Sequence, residues 1–180
     1  MRIYGNRAIK TLPGQMTRPT TGKVREALFN IWQQRVINCR WLDICAGNGT
    51  MGAEALCRGA AEVVGIEKNG RACGIIRQNW QQVAQPQQEF KVLRGDAIAR
   101  LQKLAGQSFD CIYFDPPYRG DLYYPVLSAI ATLDLLSPHG EIAVEHNALF
   151  NNSLVADWVL GRHKQYSSTE ISFFQHPDSN

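Results

Sequence analysis

From Trp41 onward the chain alternates between segments typical of β-strands and segments typical of α-helices, and this rhythm limits the possible folds more than any other feature. Apolar runs predict strands near residues 40–45, 62–67, 90–94, 109–114 and 140–145. Helical periodicity predicts helices near residues 50–58, 70–84, 97–104 and 122–136. Strands that alternate with helices pair in parallel, because each helix returns the chain across a face of the sheet. We therefore expect an α/β fold with helices on both faces of a sheet.

The end of the chain breaks this alternation. The segments Trp158 to His163 and Lys164 to Gln175 predict two strands with no helix between them. A terminal hairpin of this kind places one antiparallel strand in the sheet. With the five strands above, the expected sheet is mostly parallel and seven-stranded, with an antiparallel C-terminal strand.

Residues 1–40 precede the alternating region and carry most of the unbalanced charge. They hold eight of the 19 Lys and Arg residues but one of the 16 acidic residues, so they carry +7 while residues 41–180 carry −4. Clustered basic side chains bind polyanions because they release phosphate counterions. A solvated basic surface would have the same composition. We divide the chain into a small basic N-terminal extension, residues 1–40, predicted to dock a nucleic acid, and a core, residues 41–180.

Local patterns suggest how the extension is organised. Residues 1–12 predict a short hairpin or arm, and Pro19-Thr20-Thr21 predicts the start of a helix with a threonine as N-cap. Apolar residues at helical spacing continue this helix to about Gln34. Its apolar stripe would cover one edge of the core, which would leave Lys23 and Arg25 on the outer face.

Several classes of protein are disfavoured. No run of about 18 apolar residues predicts a membrane span, and the N-terminus lacks the apolar core of a signal peptide. The five cysteines include no C-x-x-C pair, and their odd number fits a reducing compartment, so we expect a cytoplasmic protein. The histidines lack metal-ligand spacing, and we expect no metal. For Glu145 and His146, which end the fifth strand, cleft and surface positions both stay open.

A glycine-rich turn follows the first strand of the alternating region. Gly47, Gly49 and Gly52 form a G-x-G-x-x-G pattern that opens a helix, and residues without side chains let the backbone approach a ligand closely. Dinucleotide-binding proteins share this pattern. Asp43, four residues earlier, can receive the ammonium group of a ligand or can anchor the turn. Cys45 lies in the turn as a small apolar filler rather than a nucleophile.

Two further carboxylates follow the next two strands. Glu67 ends the second strand, where it can accept hydrogen bonds from both hydroxyls of a ribose, although a solvated strand end is the alternative. Asp96 follows the third strand and can accept from an adenine amino group, with Ala97 and Ile98 offering apolar contact. Capping of the next helix would also explain Asp96. The sequence thus predicts a nucleotide-shaped pocket.

The sequence Asp115-Pro116-Pro117-Tyr118 follows the strand-like run at 109–114. The Asp115 carboxylate and the Pro116 carbonyl can each accept one N–H of a planar amine, which favours a pyramidal nitrogen. The prolines fix φ and offer no competing N–H donor, and Tyr118 can stack on an extruded base. An ordinary turn after a buried strand is the alternative. In combination with the glycine turn, the motif indicates methylation of an exocyclic amine on a nucleobase.

These residues resemble those of a known family, the bacterial RsmD-type 16S rRNA (guanine-N2) methyltransferases, over nearly the whole chain. The matching segments are Arg2-Ile3-Tyr4-Gly5, Arg18 to Thr21, Val24 to Asn30, Leu42-Asp43, Gly52 to Leu56, Ile66-Glu67 and Asp115 to Tyr118. The segment from Arg18 to Asn30 discriminates this family, because Asp-Pro-Pro-Tyr alone equally suits adenine-N6 methyltransferases. Gly22 and Ala8 depart from the family pattern in the N-terminal segment.

The resemblance implies a Rossmann-like methyltransferase fold that uses S-adenosyl-L-methionine. It implies methylation of one guanine amine in 16S rRNA, in the small ribosomal subunit or an assembly particle, by a protein expected to be a monomer. Carried over by motif, the cofactor residues are Asp43, Gly47, Glu67 and Asp96, and the amine is gripped by residues 115–118. The residues expected to contact RNA are Arg18, Thr20, Thr21, Lys23 and Arg25.

Three other functions compete with this interpretation. An adenine-N6 DNA or RNA methyltransferase shares the site chemistry, although this chain has no room for a target-recognition domain. A non-catalytic RNA-binding module with a vestigial pocket would not need Asp115 and Glu67. An NAD-dependent oxidoreductase would leave Asp-Pro-Pro-Tyr unexplained.

Overall fold

The computed structural model describes residues 1–12, 22–117, 121–148, 150–151, 155 and 157–177. Its strands are β1 Arg2–Ile3, β2 Arg7–Ala8, β3 Arg40–Ile44, β4 Glu62–Glu67, β5 Glu89–Arg94, β6 Phe109–Phe114, β7 Leu136–His146, β8 Val159–Tyr166 and β9 Thr169–Gln175. Its α-helices are α1 Gly22–Ile31, α2 Thr50–Cys57, α3 Gly70–Val83, α4 Ala97–Gln102 and α5 Tyr123–Thr132. None of these helices has the length and apolar character needed to span a bilayer.

Seven strands form the central sheet, in the order β5-β4-β3-β6-β7-β9-β8. The first five strands of this order, β5, β4, β3, β6 and β7, pair in parallel. Strand β9 lies between β7 and β8 and pairs antiparallel with both. The structure therefore confirms the Rossmann-like fold and the mostly parallel seven-stranded sheet. The strand order reverses between β3 and β6, and ligands of open α/β sheets bind in the crevice at the carboxyl ends of the strands at such a switch point.

The terminal hairpin turns later than predicted. Tyr166 pairs with Thr169 across the turn, so β8 continues past the break expected between His163 and Lys164. Ser167 adopts a left-handed φ of 58°. Serine is not among the residues that usually signal this conformation, which explains why the sequence placed the turn elsewhere.

Helices cover both faces of the sheet. On one face, α1, α2 and α3 enclose a core containing Trp32, Trp41 and Trp80. The Trp41 ring stacks on Phe29 with centroids 5.3 Å apart. On the other face, α4 and α5 pack their apolar residues, such as Leu101, over the sheet. This arrangement leaves the two ends of the strands as the places where loops gather.

The N-terminal extension packs on this core. β1 and β2 pair antiparallel, which confirms the short hairpin. Arg7 donates to the Val83 carbonyl at 3.1 Å, which fastens the hairpin to α3. The next helix, α1, begins at Gly22 and ends before the predicted limit near Gln34, since residues 32–38 form turns. The predicted threonine N-cap lies outside the described residues.

Candidate active site

The glycine turn lies between β3 and α2, at the switch point of the sheet. Cys45, Gly47 and Gly49 adopt left-handed φ values of 65°, 57° and 70°. Asp43, the last but one residue of β3, accepts a hydrogen bond from the Gly52 backbone N–H at 3.0 Å and is 1% exposed. The structure thus gives Asp43 the anchoring role that the sequence left open. Its predicted contact with a ligand ammonium group stays a prediction.

The environment of Asp43 changes its acidity. Burial raises the pKa of Asp43 to about 7, the hydrogen bond from Gly52 opposes this shift, and the charge of Glu67 adds to it. A carboxyl group with this pKa is only partly ionised at neutral pH. A cation that binds nearby would therefore draw a proton off Asp43.

Three glycines around the turn make room for one indole. A Cβ atom on Gly49, Gly52 or Gly65 would lie 2.8, 2.3 or 2.5 Å from the nearest atom of Trp80. The Trp80 Nε1–H also donates to the Gly49 carbonyl at 2.8 Å. At Gly47, in contrast, a Cβ atom would meet nothing within 4 Å. The pattern that the sequence assigned to ligand approach is thus explained at Gly49 and Gly52 by packing, whereas Gly47 borders open space.

Glu67 ends β4 and is held by two backbone donors. Its Oε2 accepts from the Gly47 N–H at 2.8 Å, and its Oε1 accepts from the Asn69 N–H at 2.7 Å. A carboxylate oxygen can accept a second hydrogen bond. Glu67 is therefore fixed in orientation beside the glycine turn while it keeps acceptor capacity for the hydroxyl groups of a ligand.

Asp96 lies at the end of the next strand and caps α4. Its side chain accepts from the Ala99 N–H at 3.3 Å, so the capping interpretation is confirmed. Ala97 is buried at the start of the helix. The predicted contacts of Asp96 and Ala97 with an adenine ring stay predictions.

The acceptor motif lies on the other side of the switch point. The Asp115 N–H donates to the Ile44 carbonyl at 3.3 Å, which ties the end of β6 to the residue before the glycine turn. Pro116 is buried and Pro117 is exposed. Tyr118 lies outside the described residues, so its stacking role stays a prediction.

A buried carboxyl group accompanies Asp115. Glu145, 4% exposed, accepts a hydrogen bond from the Tyr113 hydroxyl at 2.5 Å. Burial, Glu145 and Asp43 together raise the pKa of Asp115 well above its usual range. The sequence left Glu145 undecided between cleft and surface. A position at the end of a predicted strand does not reveal on which face of the sheet the side chain lies. The strand register places it on the same face as Tyr113 and Asp43.

When they are ionised, these carboxyl groups give the crevice a negative potential. Burial and then the charges of Glu67, Asp115, Asp43 and Asp96 raise the pKa of Cys45 to about 12. A thiol with this pKa stays protonated, which agrees with its expected role as a filler. The same potential favours a cationic ligand between β3, β4 and β6.

The predicted RNA contacts have mixed outcomes. Lys23 is exposed, while Arg18, Thr20 and Thr21 lie outside the described residues. The expected outward position of Arg25 is wrong. Arg25 is 9% exposed, and its guanidinium pairs with the buried Glu54 and donates to the Arg2 carbonyl at 3.0 Å. Arg25 precedes Leu28 and Phe29 by three and four residues, and this spacing places it on the buried side of α1.

Sequence reasoning missed a pair of asparagines that join the N-terminal arm to the glycine turn. Asn79 of α3 is fully buried, accepts from the Lys10 N–H at 2.8 Å and donates to the Lys10 carbonyl at 2.9 Å. It also donates to the Asn48 carbonyl at 3.0 Å. The Asn48 side chain accepts from the Leu12 N–H at 3.1 Å. An asparagine on a face of α3 that is otherwise apolar was the available signal.

Comparisons with known proteins find relatives that match most of the chain. A family model described as conserved hypothetical protein 95 matches residues 1–175. The putative rRNA methyltransferase YlbH of Bacillus subtilis is 30% identical over 94% of this chain and 93% of that protein. The ribosomal RNA small subunit methyltransferase D of Escherichia coli K12 is 29% identical over 88% and 79%. A solved putative methyltransferase, yhhF from Escherichia coli, superposes with a TM-score of 0.84 at 28% identity and covers 98% and 97% of the two chains.

Proposed function

Because the chain belongs to the family of conserved hypothetical protein 95, the RsmD-type methyltransferases, we propose that it methylates the N2 amine of a guanine in 16S rRNA. Methyl transfer to ribosomal RNA is the activity named for its relatives. One observation carries the proposal of methyl transfer to an exocyclic amine. The glycine turn and Asp115 follow neighbouring strands at the switch point, where the Asp115 N–H reaches the Ile44 carbonyl.

The residues around the glycine turn fit S-adenosylmethionine, which supplies an electrophilic methyl group on a positively charged sulfur. The crevice collects the carboxyl groups of Asp43, Glu67, Asp96 and Asp115 around Cys45, and this ligand carries both a sulfonium and an ammonium group. Glu67 is oriented to accept from the ribose hydroxyls, and Asp96 is available at the next strand end for the adenine amino group. The open space at Gly47 admits a ligand beside the backbone.

Asp115 and the Pro116 carbonyl would orient the guanine amine. An exocyclic amine is a weak nucleophile because its lone pair is delocalised into the ring. Two acceptors that each bind one N–H favour a pyramidal nitrogen whose lone pair points at the methyl group. Positioning of this kind can supply much of the rate enhancement.

The raised pKa of Asp115 also suits the removal of a proton. Transfer forms the N–C bond and breaks the S–C bond, and the nitrogen then carries one proton too many. Once the positive charge of the bound sulfonium favours its ionised form, a carboxylate with a raised pKa is a stronger base than an ordinary aspartate. Asp115 would take this proton and restore the neutral amine.

Tritiated methyl transfer tests the proposal. Small-subunit fractions and assembly particles from a strain that lacks the protein would be incubated with labelled S-adenosylmethionine and the purified chain, and the nucleosides would be separated. We expect label in N2-methylguanosine. Label in N6-methyladenosine would instead establish the adenine alternative, which the Asp-Pro-Pro-Tyr motif also suits, and unlabelled RNA would contradict both.

RNA docking by the N-terminal extension is part of the proposal. Lys23 is exposed on α1, and Arg18, Thr20 and Thr21 precede it in the sequence. We retain these four residues as the proposed contacts and omit Arg25, whose guanidinium is engaged by Glu54.

A further inference from the structure

A polar cluster lies at the carboxyl end of β7, on the sheet face opposite to the Asp115 side chain. His146 of β7 pairs in register with Glu170 of β9, and His163 of β8 pairs with Ser172 of β9. The ligand-type atoms of His146, His163 and Glu170 all lie within 4.8 Å of one another. Three adjacent strands therefore aim two imidazoles and one carboxylate at a common point.

The hydrogen bonds around His146 define its protonation pattern. Its Nδ1 lies 2.8 Å from the Asn147 carbonyl, which can only accept, so Nδ1 carries the proton. In the neutral ring Nε2 then carries a lone pair, and this atom accepts a hydrogen bond from the Ser172 hydroxyl at 2.8 Å, which a metal ion would replace. A ring fixed by a backbone carbonyl through Nδ1, with Nε2 pointing into a cluster, is the usual arrangement of a metal-binding histidine.

Counting protons along this network leaves one contact without a donor. Ser172 has a single hydroxyl proton, which it gives to His146, so it must accept from His163 Nδ1 at 3.1 Å. A neutral His163 then presents a lone pair on Nε2. That atom faces a Glu170 carboxylate oxygen at 3.3 Å, and both atoms are acceptors. The contact is favourable only when a positive species, a second proton or a metal ion, lies between them.

We propose that His146, His163 and Glu170 form a binding site for a divalent transition metal, with zinc as the ion that fits best. Two imidazoles and one carboxylate are a set of ligands found in three-ligand zinc sites, which keep a fourth position for water. In tetrahedral coordination, ligand atoms about 2.0–2.1 Å from zinc lie roughly 3.3 Å apart. The His163 and Glu170 atoms already have this separation.

The surroundings support binding and allow the metal to enter. The His146 ring is 1% exposed and packs against Phe150 with centroids 4.7 Å apart, which limits its rotation. The His163 side chain is 37% exposed, so an ion can reach the site from solvent. Because the cluster faces away from Asp115, the metal would link β7, β9 and β8 and would take no part in methyl transfer.

Zinc binding by the full-length chain tests the proposal. The protein would be stripped with a chelator and dialysed, and zinc would be titrated by calorimetry with the bound metal measured by mass spectrometry. We expect one equivalent of zinc and a rise in melting temperature with zinc concentration. Cobalt would replace zinc in a parallel titration, where visible absorption bands report nitrogen and oxygen ligands.

Matched variants assign the site to these residues. His163→Ala and Glu170→Gln should each lower zinc affinity by at least about tenfold. His139→Ala, a change of the same kind at an exposed histidine outside the cluster, should leave the affinity unchanged. His163 is partly exposed, so its variant should fold, and a melting curve without zinc checks this. If the parent chain binds no zinc, a proton rather than a metal ion lies between His163 Nε2 and the Glu170 carboxylate. That result, or equal binding by all variants, would overturn the proposal.

Discussion

The raised pKa of Asp43 should make the free energy of unfolding depend on pH. Its pKa is about 7 in the folded protein against 3.8 as the ordinary value, so the folded state binds more protons than the unfolded state between these limits. Stability without ligand should therefore fall as pH rises from about 4 to 7, by about 4 kcal/mol at most, at 1.36 kcal/mol per pKa unit. Asp43→Asn keeps an acceptor for the Gly52 N–H and should remove this contribution.

Denaturant unfolding at several pH values would measure it. The difference in unfolding free energy between Asp43→Asn and the parent chain should grow from pH 5 to pH 7, with the variant more stable. Using the difference cancels the part of the Asp115 contribution that does not depend on the charge of Asp43. Parallel curves for the two proteins would show that Asp43 is ionised without penalty.

Asp115 and Glu67 should separate catalysis from cofactor binding. Asp115→Ala removes the group proposed to act on the acceptor amine, so methyl transfer should be abolished while affinity for S-adenosylmethionine stays within a few-fold. Glu67→Ala should weaken cofactor binding by about 1–3 kcal/mol through the loss of charge-assisted hydrogen bonds. Calorimetry and tritium incorporation measure the two effects.

A control for Glu67 exists on the same strand. Glu62 is the first residue of β4 and Glu67 the last, so the two lie at opposite ends of the strand. Glu62 pairs with Arg40 at 2.6 Å. Glu62→Ala should leave cofactor affinity unchanged. Near-normal turnover by Asp115→Ala would refute its role on the amine, and an unchanged affinity of Glu67→Ala would refute ribose binding.

Helix α3 does more than cover the sheet, because it carries the residue that joins the N-terminal arm to the glycine turn. Asn79→Ala removes three partly buried hydrogen bonds and should lower the free energy of unfolding by about 3 kcal/mol, at roughly 1 kcal/mol each. Because one of these bonds holds the Asn48 carbonyl in the turn, cofactor affinity should fall as well. Calorimetry on the folded variant measures this effect.

Gln82 provides the matched control on the same helix. It is exposed and donates to the Ala8 carbonyl of the same arm at 3.2 Å. Gln82→Ala should change stability by no more than about 0.5 kcal/mol and should not affect the cofactor. Equal losses in both variants would mean that the arm contributes stability alone, with no influence on the turn.

The elements show which part of the structure was predictable. The strands and helices after Trp41 follow the predicted limits within a few residues, because the periodicity of buried apolar residues is a local property of the sequence. The contact between Tyr113 and Glu145 depends on the register of β6 against β7, which local patterns do not contain. The same is true of His146, His163 and Glu170. Their spacing along the chain has no metal-binding pattern, and the pairing of three strands brings them together.

At the scale of the whole molecule, the excess of basic residues in the N-terminal extension does not produce a uniform basic surface. Arg25 and Arg40 form ion pairs with Glu54 and Glu62, so part of the +7 is neutralised locally. Arg35 donates to the His139 carbonyl near the amino end of β7, away from the crevice at the carboxyl ends of the strands. The excess charge that stays available for RNA is therefore smaller than the count indicates, and Lys23 is an exposed part of it.

The salt dependence of RNA binding tests whether this remaining charge docks the substrate. A double variant, Arg18→Ala with Lys23→Ala, should weaken binding to small-subunit RNA. The slope of log affinity against log salt should fall by about 0.7–0.9 for each lost phosphate contact. Cofactor binding should be unaffected, because the pocket is built from strand ends after Trp41.

The matched control is Arg35→Ala with Lys103→Ala, which also removes two positive charges, but away from the crevice. If both variants change the slope equally, net charge alone explains binding; an unchanged slope in the first variant would refute docking by these residues.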